Sequence, residues 1–583
     1  MRNPVSRFAY VQSDLGMKRS QFDRDHDHKT TMSAGLLYPI LVDEVLPGDT
    51  YSIDLASLVR MSTPIHPVMD NCFLDTYFFF VPNRIVWDHW REFMGETPED
   101  PYINPIEYSV PQLYAQDPDD VKLGGVPPKS LLDYMGIPSN IVPEKINALP
   151  IRAFCKIWNE WFRDVNLQNA IDFPTGDTNL LYAQIGGNSS AAEFWNGNVE
   201  GTDDYVTNTA HGGDLPPVNK YHDYFTSALP LPQRGEPVAI PLNGFAPVYA
   251  TELVTPNEFS LSTNVQIVDD VGDPLIFSGL LSDSGSMAYG NVNASEADGP
   301  AYFGNLGADL SAVAGVYATI MDLRYAFQMQ KFLEADNRGG GGRYRTMLKA
   351  HFGVTTSDAS LQVPEFLGGK RIPINISQVL QTSATDNTSP QGNTAAYSLT
   401  TDKFSAFTKS FEEHGFLIGV ACIRTEHTYA QGIEKMWSKE NKFDYYFPEF
   451  ANIADQPIRN KEIFNVYGHN ENYDFNMSDW EKANEIFGYQ EAWAEYRYKP
   501  NRVSGEFRPT YIDGSLDIWH YADYYIEQPM LSSEWIRETR KNIDRTLAVS
   551  SELADQFICD FYFKMRTTRV MPVYSVPGLA DHH

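Results

Sequence analysis

This chain is short of cysteine, of positive charge and of long apolar runs. It has four cysteines, Cys72, Cys155, Cys422 and Cys559, in 583 residues, and none stands at the paired spacing of a zinc or redox motif. That spacing argues against a disulfide framework and predicts assembly in a reducing compartment. Lys and Arg number 45 against 76 Asp and Glu, for a net charge of −31. Affinity for DNA comes mainly from Lys and Arg displacing counterions, so a chain this acidic repels nucleic acid unless a local basic patch or a separate basic partner intervenes. Apolar runs such as 77–81 are far too short to span a bilayer, and 1–14 carries no signal-peptide hydrophobic stretch. The expectation is a soluble chain, intracellular when made, with no membrane insertion.

Aromatic residues are abundant: 33 Tyr, 34 Phe and 10 Trp make up 13% of the chain. Such rings suit strands and broad contact surfaces. With 40 Gly and 37 Pro, the chain should be rich in turns and long connections rather than a helical bundle. Residues 36–42 read as a strand, Pro47, Gly48 and Asp49 as a turn, and 51–59 alternates Tyr51, Ile53 and Leu55 against Ser52, Asp54 and Ala56. The run NCFLDTYFFFV at 71–81 is apolar on both faces, as a strand between two layers must be, and GFLIGVACIR at 415–424 is a second such strand. Further strand candidates are 261–268, 372–376, 517–525 and 556–565. A helix is expected at 151–165, where Ile151, Phe154, Cys155, Trp158 and Phe162 trace one stripe, and another at 321–333 on Met321, Tyr325, Gln328 and Phe332. Residues 1–35 show no strand or helix period. Residues 175–315, apart from an ordered-looking 220–237, have the Gly/Asn/Ser/Asp composition of long surface excursions. Strands drawn from both ends and joined by long insertions predict a mainly β sandwich or jelly roll.

Several blocks, in order, resemble the major capsid proteins of gokushovirus-type microviruses, small bacteriophages with circular single-stranded DNA. They include SQFDRDHDHKTT at 20–31, VDEVLPGDTY at 42–51, VMDNCFLDTYFFFVPNRIVW at 68–87 and LPIRAFCKIWNEWFRD at 149–164. KYHDYFTSALPLPQRG at 220–235, DNRGGGGRYRTMLKAHFGV at 336–354, VPEFLGG at 363–369 and RVMPVYSVPGL at 569–579 complete the series. The resemblance implies a mainly β fold, an eight-stranded antiparallel jelly-roll barrel with long, partly helical insertions, and copies that self-assemble into a T=1 icosahedral shell around the DNA. It divides the chain into an N-terminal arm at 1–35 and a single jelly-roll domain at 36–583. Within that domain lie a surface-projecting insertion at 175–315 and an extended tail at 566–583. The implied partners are further copies of itself, single-stranded DNA by way of a small basic viral protein, minor virion proteins and a host surface receptor. The implied location is the virion, assembled in the host bacterial cytoplasm, with no cofactor and no catalysis.

Six basic residues are candidates for contact with DNA or a neighbouring subunit. Arg338, Arg343 and Arg345 flank the glycines at 339–342, where exposed N–H groups and guanidiniums can grip oxyanions. That run lacks the P-loop order, and the plainer reading is a loop that ends a helix. Lys564, Arg566 and Arg569 follow Phe561, Tyr562 and Phe563, and cations interleaved with rings hold single strands without sequence preference. The plainer reading is a strand with its rings in the core and its cations outside. Asp23, Asp25, His26, Asp27 and His28 have the chemistry of metal ligands, but a flexible arm fixes no geometry, so a polar inter-subunit arm is preferred and no metal is assigned. Glu412, Glu413, His414, Glu426 and His427 read as solvated strand ends. The rival class is a β-rich carbohydrate-binding or glycoside-hydrolase-like protein, suggested by the rings and carboxylates but lacking a distinguishable acid pair.

Overall fold

A strand that is apolar on both sides needs a packed layer on each side, and the fold is organised around two of them. The computed structural model describes residues 19–96, 107–114, 126, 128–139, 145–171, 173–177, 180–181, 215–236, 238, 320–339, 342–380, 394–465, 477–508, 516–549 and 553–574, with short strands between 248 and 308. Met1–Pro232 together with Asp336–His583 form one unit, and Gln233–Ala335 form a second.

In the larger unit the long strands are β1 (Ser20–Asp23), β2 (His26–Met32), β3 (Tyr38–Val45), β4 (Thr50–Met61), β5 (Cys72–Pro82), β6 (Glu365–Pro373), β7 (Thr400–Ser410), β8 (Gly415–Thr425) and β9 (Phe557–Arg569). One sheet runs β1-β9-β4-β7 with β2 also paired to β9, and the other runs β6-β5-β8-β3. All these pairings are antiparallel. β2 pairs with β9, β3 with β8, β4 with β7 and β5 with β6, so the chain doubles back along itself as one long ribbon. The additional pairings β4–β9 and β5–β8 fold that ribbon into two sheets.

The alternation in β4 and β9 does what period-two patterning should: every second side chain is buried. Ile53, Leu55, Phe561 and Phe563 meet Leu74, Phe78 and Leu417 in the core between the sheets. β5 and β8 are buried on their other face too. There Phe79, Val81, Ile418 and Val420 pack with Phe154, Ile157 and Trp158 in a second core. Those last residues belong to α1 (Leu149–Ile157) and the π-helical turn Trp158–Phe162 that continues it. The apolar stripe expected across 151–165 is therefore, as far as Phe162, the face that covers the second sheet; the helix stops there, with Arg163 extended. At the turn between β3 and β4, Gly48 takes φ +85°, and Asp49 accepts from the Leu46 amide at 3.1 Å. The smaller unit contains antiparallel strands at Val248–Thr255, Glu258–Leu261 and Leu306–Ala308.

Several expectations are corrected. Ser20–Asp23 and His26–Met32 are strands although their sequence has no strand period; they bond along the free edge of β9, and an edge needs only backbone groups, not an apolar alternation. The 261–268 candidate divides into the end of Glu258–Leu261 and Ile267–Val268. The 321–333 helix runs longer, as α2 (Ile320–Arg338), and its stripe is not buried: Met321 is 80% and Tyr325 68% exposed. Residues 517–525 are not a strand. Asp517–Trp519 make a single 3-10 turn, Asp523 forms one isolated parallel bridge with Tyr429, and other amides are claimed by side chains instead of a ladder, that of Tyr521 bonding to Asp70 at 3.0 Å. Residues 1–18, 182–214 and 575–583, which bear on the expected arm, insertion and tail, lie outside the described residues.

Phe78 joins the two sheets, with its ring 5.8 Å from Phe407 and 6.5 Å from Phe563. Phe78→Ala should destabilise the unassembled chain by about 3–5 kcal/mol, the usual range for emptying a buried ring, as measured by urea denaturation. A loss under about 1 kcal/mol would show that the sheets do not depend on this ring.

Candidate functional site

One carboxylate is out of place in the apolar run of β5: Asp75, with a relative exposure of 1%. A buried carboxylate must be paired, and its partners come from three other segments. Arg371 of β6 donates through Nε at 2.9 Å, Arg424 of β8 through Nε at 3.1 Å and also through Nη2, and the Tyr221 hydroxyl donates at 2.8 Å. The Tyr221 ring lies between the two guanidiniums, 3.9 Å from Arg371 and 4.2 Å from Arg424. Stacking and pairing together hold both arginines rigid at one wall of a cavity of ≈ 1020 Å³. The rings of Tyr77, Phe79, Trp161 and Phe366 form another wall.

Two of the six candidate residues, Arg338 and Arg343, line this same cavity. Arg338 ends α2 and pairs with Asp455 at 2.7 Å. Arg343 donates through Nη2 to the carbonyls of Asn159 at 2.7 Å and Arg163 at 3.1 Å, closing the end of the π-helical turn. Its Nε is buried without a hydrogen-bond partner, with Glu160 3.9 Å away, and burial pulls its pKa below the usual value. Arg345 pairs with Asp358 at 2.8 Å and lies over the Trp161 ring at 4.5 Å. Within the subunit this segment acts mainly as a helix end and a set of struts.

Lys564, Arg566 and Arg569 sit on β9, away from that cavity's lining. Phe561 and Phe563 point into the core and Tyr562 outward, so the rings and cations follow strand alternation rather than making one stack. Arg569 is bound to Asp49 at 2.9 Å, the Tyr51 hydroxyl at 2.6 Å and the Glu44 carbonyl at 2.8 Å. Arg566 lies 3.8 Å from Asp23 with both side chains exposed, and Lys564 has no carboxylate in salt-bridge range among the described residues. The His/Asp set at 23–28 is spread by the same alternation: His26 and His28 bond to the carbonyls of Arg24 and Ile40, while Asp27 turns outward to Lys29. Among the described residues no three His, Cys, Asp or Glu side chains converge as metal ligands.

His427 overturns the reading of a solvated strand end. Its side chain is 1% exposed and lies between Asp523, 2.7 Å from Nδ1, and Glu538, 3.0 Å from Nε2. Asn542 donates to Asp523 at 2.6 Å, and the Thr425 hydroxyl donates to Glu538 at 3.0 Å. Lys220 lies 3.8 Å from Asp523 and over the Trp535 ring at 4.5 Å. Burial alone would drive His427 neutral, but the two carboxylates outweigh it and hold its pKa up at about 10. The same imidazolium and Lys220 hold Asp523 well below the usual carboxylate range despite its burial. Sequence could not place this cluster, because its members come from 220, 427, 523 and 538. Asp75, by contrast, carries a signal in the sequence, a charge inside an apolar strand, that the reading of 71–81 as apolar on both faces passed over.

Because the folded His427 pKa is raised from 6.5, its stabilising contribution is complete below about pH 6.5 and is lost progressively as pH climbs to about 10. Thermal unfolding of the unassembled chain should show Tm falling across that window. His427→Leu leaves Asp523 and Glu538 buried without their shared cation, so a loss of about 3–5 kcal/mol at neutral pH and a flatter pH dependence are expected. An unchanged slope in the variant would remove His427 as its source.

The chain matches the family model described as capsid protein (F protein) over residues 9–579. It is 39% identical to capsid protein VP1 of Chlamydia phage 1, covering 98% of both chains. It is 37% identical to capsid protein VP1 of Bdellovibrio phage phiMH2K, over 99% of this chain and 98% of the relative. It is 39% identical to capsid protein VP1 of Spiroplasma virus 4, over 96% and 95%. All three relatives are named as capsid proteins, which sets aside the glycoside-hydrolase alternative; among the described residues no helix is long and apolar enough to cross a membrane. Matched along almost its whole length, the chain belongs to the phage capsid protein (F protein) family.

Proposed function

We propose that this chain is the major capsid protein of a small single-stranded DNA phage, and that identical copies close into a T=1 icosahedral shell around the genome. The near full-length match to the capsid family carries this reading. Two features of the chain agree with it. The pairings β2–β9, β3–β8, β4–β7 and β5–β6 support the reading of an eight-stranded jelly roll, a doubled ribbon wrapped into two sheets, with β1 taken as an extension on β9. Large apolar side chains also remain uncovered in the single chain. Phe352 at 70% and Tyr344 at 62% exposure mark the helix Tyr344–Phe352, and Ile526 and Met530 stand at 78% and 74%. Neighbouring copies would bury such side chains on closure.

We assign host contact to the outer insertion at 175–315. Gln233–Ala335, which covers much of it, carries twelve acidic residues against three basic ones, a composition suited to solvent. Contact with DNA or a neighbouring subunit falls to Lys564 and Arg566, the two of the six candidates with no buried or half-buried carboxylate or carbonyl partner among the described residues. A chain of net charge −31 still needs a small basic viral protein to neutralise the genome, alongside the minor virion proteins.

Negative-stain electron microscopy with sedimentation, on protein purified from its native source, tests the shell. Uniform isometric particles carrying DNA are expected. A homogeneous monomer or dimer that forms no particles with its co-encoded partners would overturn the proposal.

A further inference from the structure

The larger unit has a second concavity, of ≈ 380 Å³, between the segments around 434–445 and 495–508. That size lies within the ~300–1,000 Å³ of small-molecule pockets and accommodates one nucleotide. Its charge runs against the rest of the chain. Glu434 alone serves Lys499 at 2.5 Å and Arg502 at 3.7 Å, and Glu495 alone serves Lys439 at 3.4 Å and Lys435 at 3.8 Å. Arg508, a fifth cation of the lining, donates to the Ala430 carbonyl at 3.2 Å. The remaining acid, Glu462, is engaged by the Tyr224 hydroxyl and the Arg459 amide. Cations therefore outnumber carboxylates here, within a chain of net charge −31.

Rings accompany the charge. Tyr445, Tyr496 and Tyr498 line the cavity and are 52%, 56% and 45% exposed, so about half of each ring residue is left for a ligand, with Lys439 on one face of Tyr496 and Tyr445. Lys439 is fixed over the Tyr496 ring at 4.3 Å and bonds its hydroxyl at 2.8 Å, which holds that ring in place. Lys499 and Arg502 stand at the rim with about two-thirds of each side chain exposed. Glu495 supplies the polar specificity. Its side chain is 12% exposed, and its two buried carboxylate oxygens are held only by the long ion pairs to Lys439 and Lys435, which leaves lone pairs for a further donor.

Open rings, excess cations and an unused acceptor together fit one class of ligand. We propose that this cavity binds a nucleotide unit of single-stranded DNA. The base stacks among Tyr445, Tyr496 and Tyr498, an amino group of the base donates to Glu495, and the phosphate meets Lys499 and Arg502. The reading rests on the shell proposal only for the origin of the strand, the enclosed genome. Bases that carry an amino group are favoured, because thymine offers a carboxylate only a ring N–H flanked by two carbonyls.

The test is fluorescence anisotropy of labelled oligo(dC) and oligo(dT) on the unassembled full-length chain, with dCMP and tripolyphosphate as competitors. Oligo(dC) should bind more tightly than oligo(dT). Tyr496→Leu should weaken binding about 5- to 150-fold, the range for losing one base–ring stack, while Tyr496→Phe keeps it. Replacing Lys499 and Arg502 by Ala should reduce the salt dependence by about 0.7 in log–log slope for each phosphate the pair had neutralised. Competition by dCMP far weaker than by oligo(dC) assigns the strand as the source, and equal competition per nucleotide assigns free nucleotide. No binding, equal binding by Tyr496→Leu, or equal competition by tripolyphosphate would overturn the proposal, the last by showing attraction to charge alone. Electron microscopy of Tyr496→Leu particles separates the two readings. Particles that form normally while oligo(dC) affinity is lost leave the shell intact and place the defect in this cavity.

Discussion

The larger unit depends on the burial of β5 and β8 on both faces. These two strands lie side by side at the centre of one sheet, and each side chain along them must be matched by a layer above or below. The opposing sheet covers one face and α1 with its π-helical turn covers the other. Once this pair is fixed, β3 and β6 have only its edges to join, and the rest of the ribbon must fold over to close the core. Gly415 shows how tight the pair is, since a Cβ there would lie 2.5 Å from the Val81 carbonyl oxygen.

That constraint also explains where charge is spent. Asp75 sits inside the doubly buried strand, and it is stable there only because Arg371, Arg424 and Tyr221 converge on it from distant segments. Asp523 and Glu538 likewise lie beside His427 and Lys220 in a second sealed network. In a chain with far fewer cations than carboxylates, each cation used this way is withdrawn from the surface. Arg338, Arg343, Arg345 and Arg569 all serve internal geometry. These four arginines are thus withdrawn from any polyanion, which agrees with the proposal that DNA is met through a partner and a few discrete contacts rather than a general field.

The uncovered rings belong to the same picture. An ordinary monomer keeps its large exposed apolar patches small. Here they recur on helix faces and loops of a protein whose relatives are capsid proteins, and in the shell proposed above neighbouring copies would finish the burial that one chain leaves incomplete. The helix at 320–338 is the clearest case: its stripe was readable in the sequence, yet among the described residues no core receives Met321 or Tyr325.

The sequence alone determined whatever depends on local pattern. The alternation of 51–59, the double-sided 71–81 and 415–424, the helix stripe from Ile151 to Phe162 and the turn at Gly48 were all legible, because periodicity and backbone freedom act over a few residues. The family was legible too, since its motifs run in order along the chain. Only the tertiary structure decided the rest. It made strands of 20–23 and 26–32 by offering them the edge of β9, and it kept 517–525 out of any sheet by giving amides such as those of Tyr521 and Tyr525 side-chain partners. It buried His427 between two acids and gathered Lys435, Lys439, Lys499 and Arg502 around one cavity. These outcomes depend on groups far apart in sequence meeting in space, and such meetings leave no periodic trace in the chain that makes them.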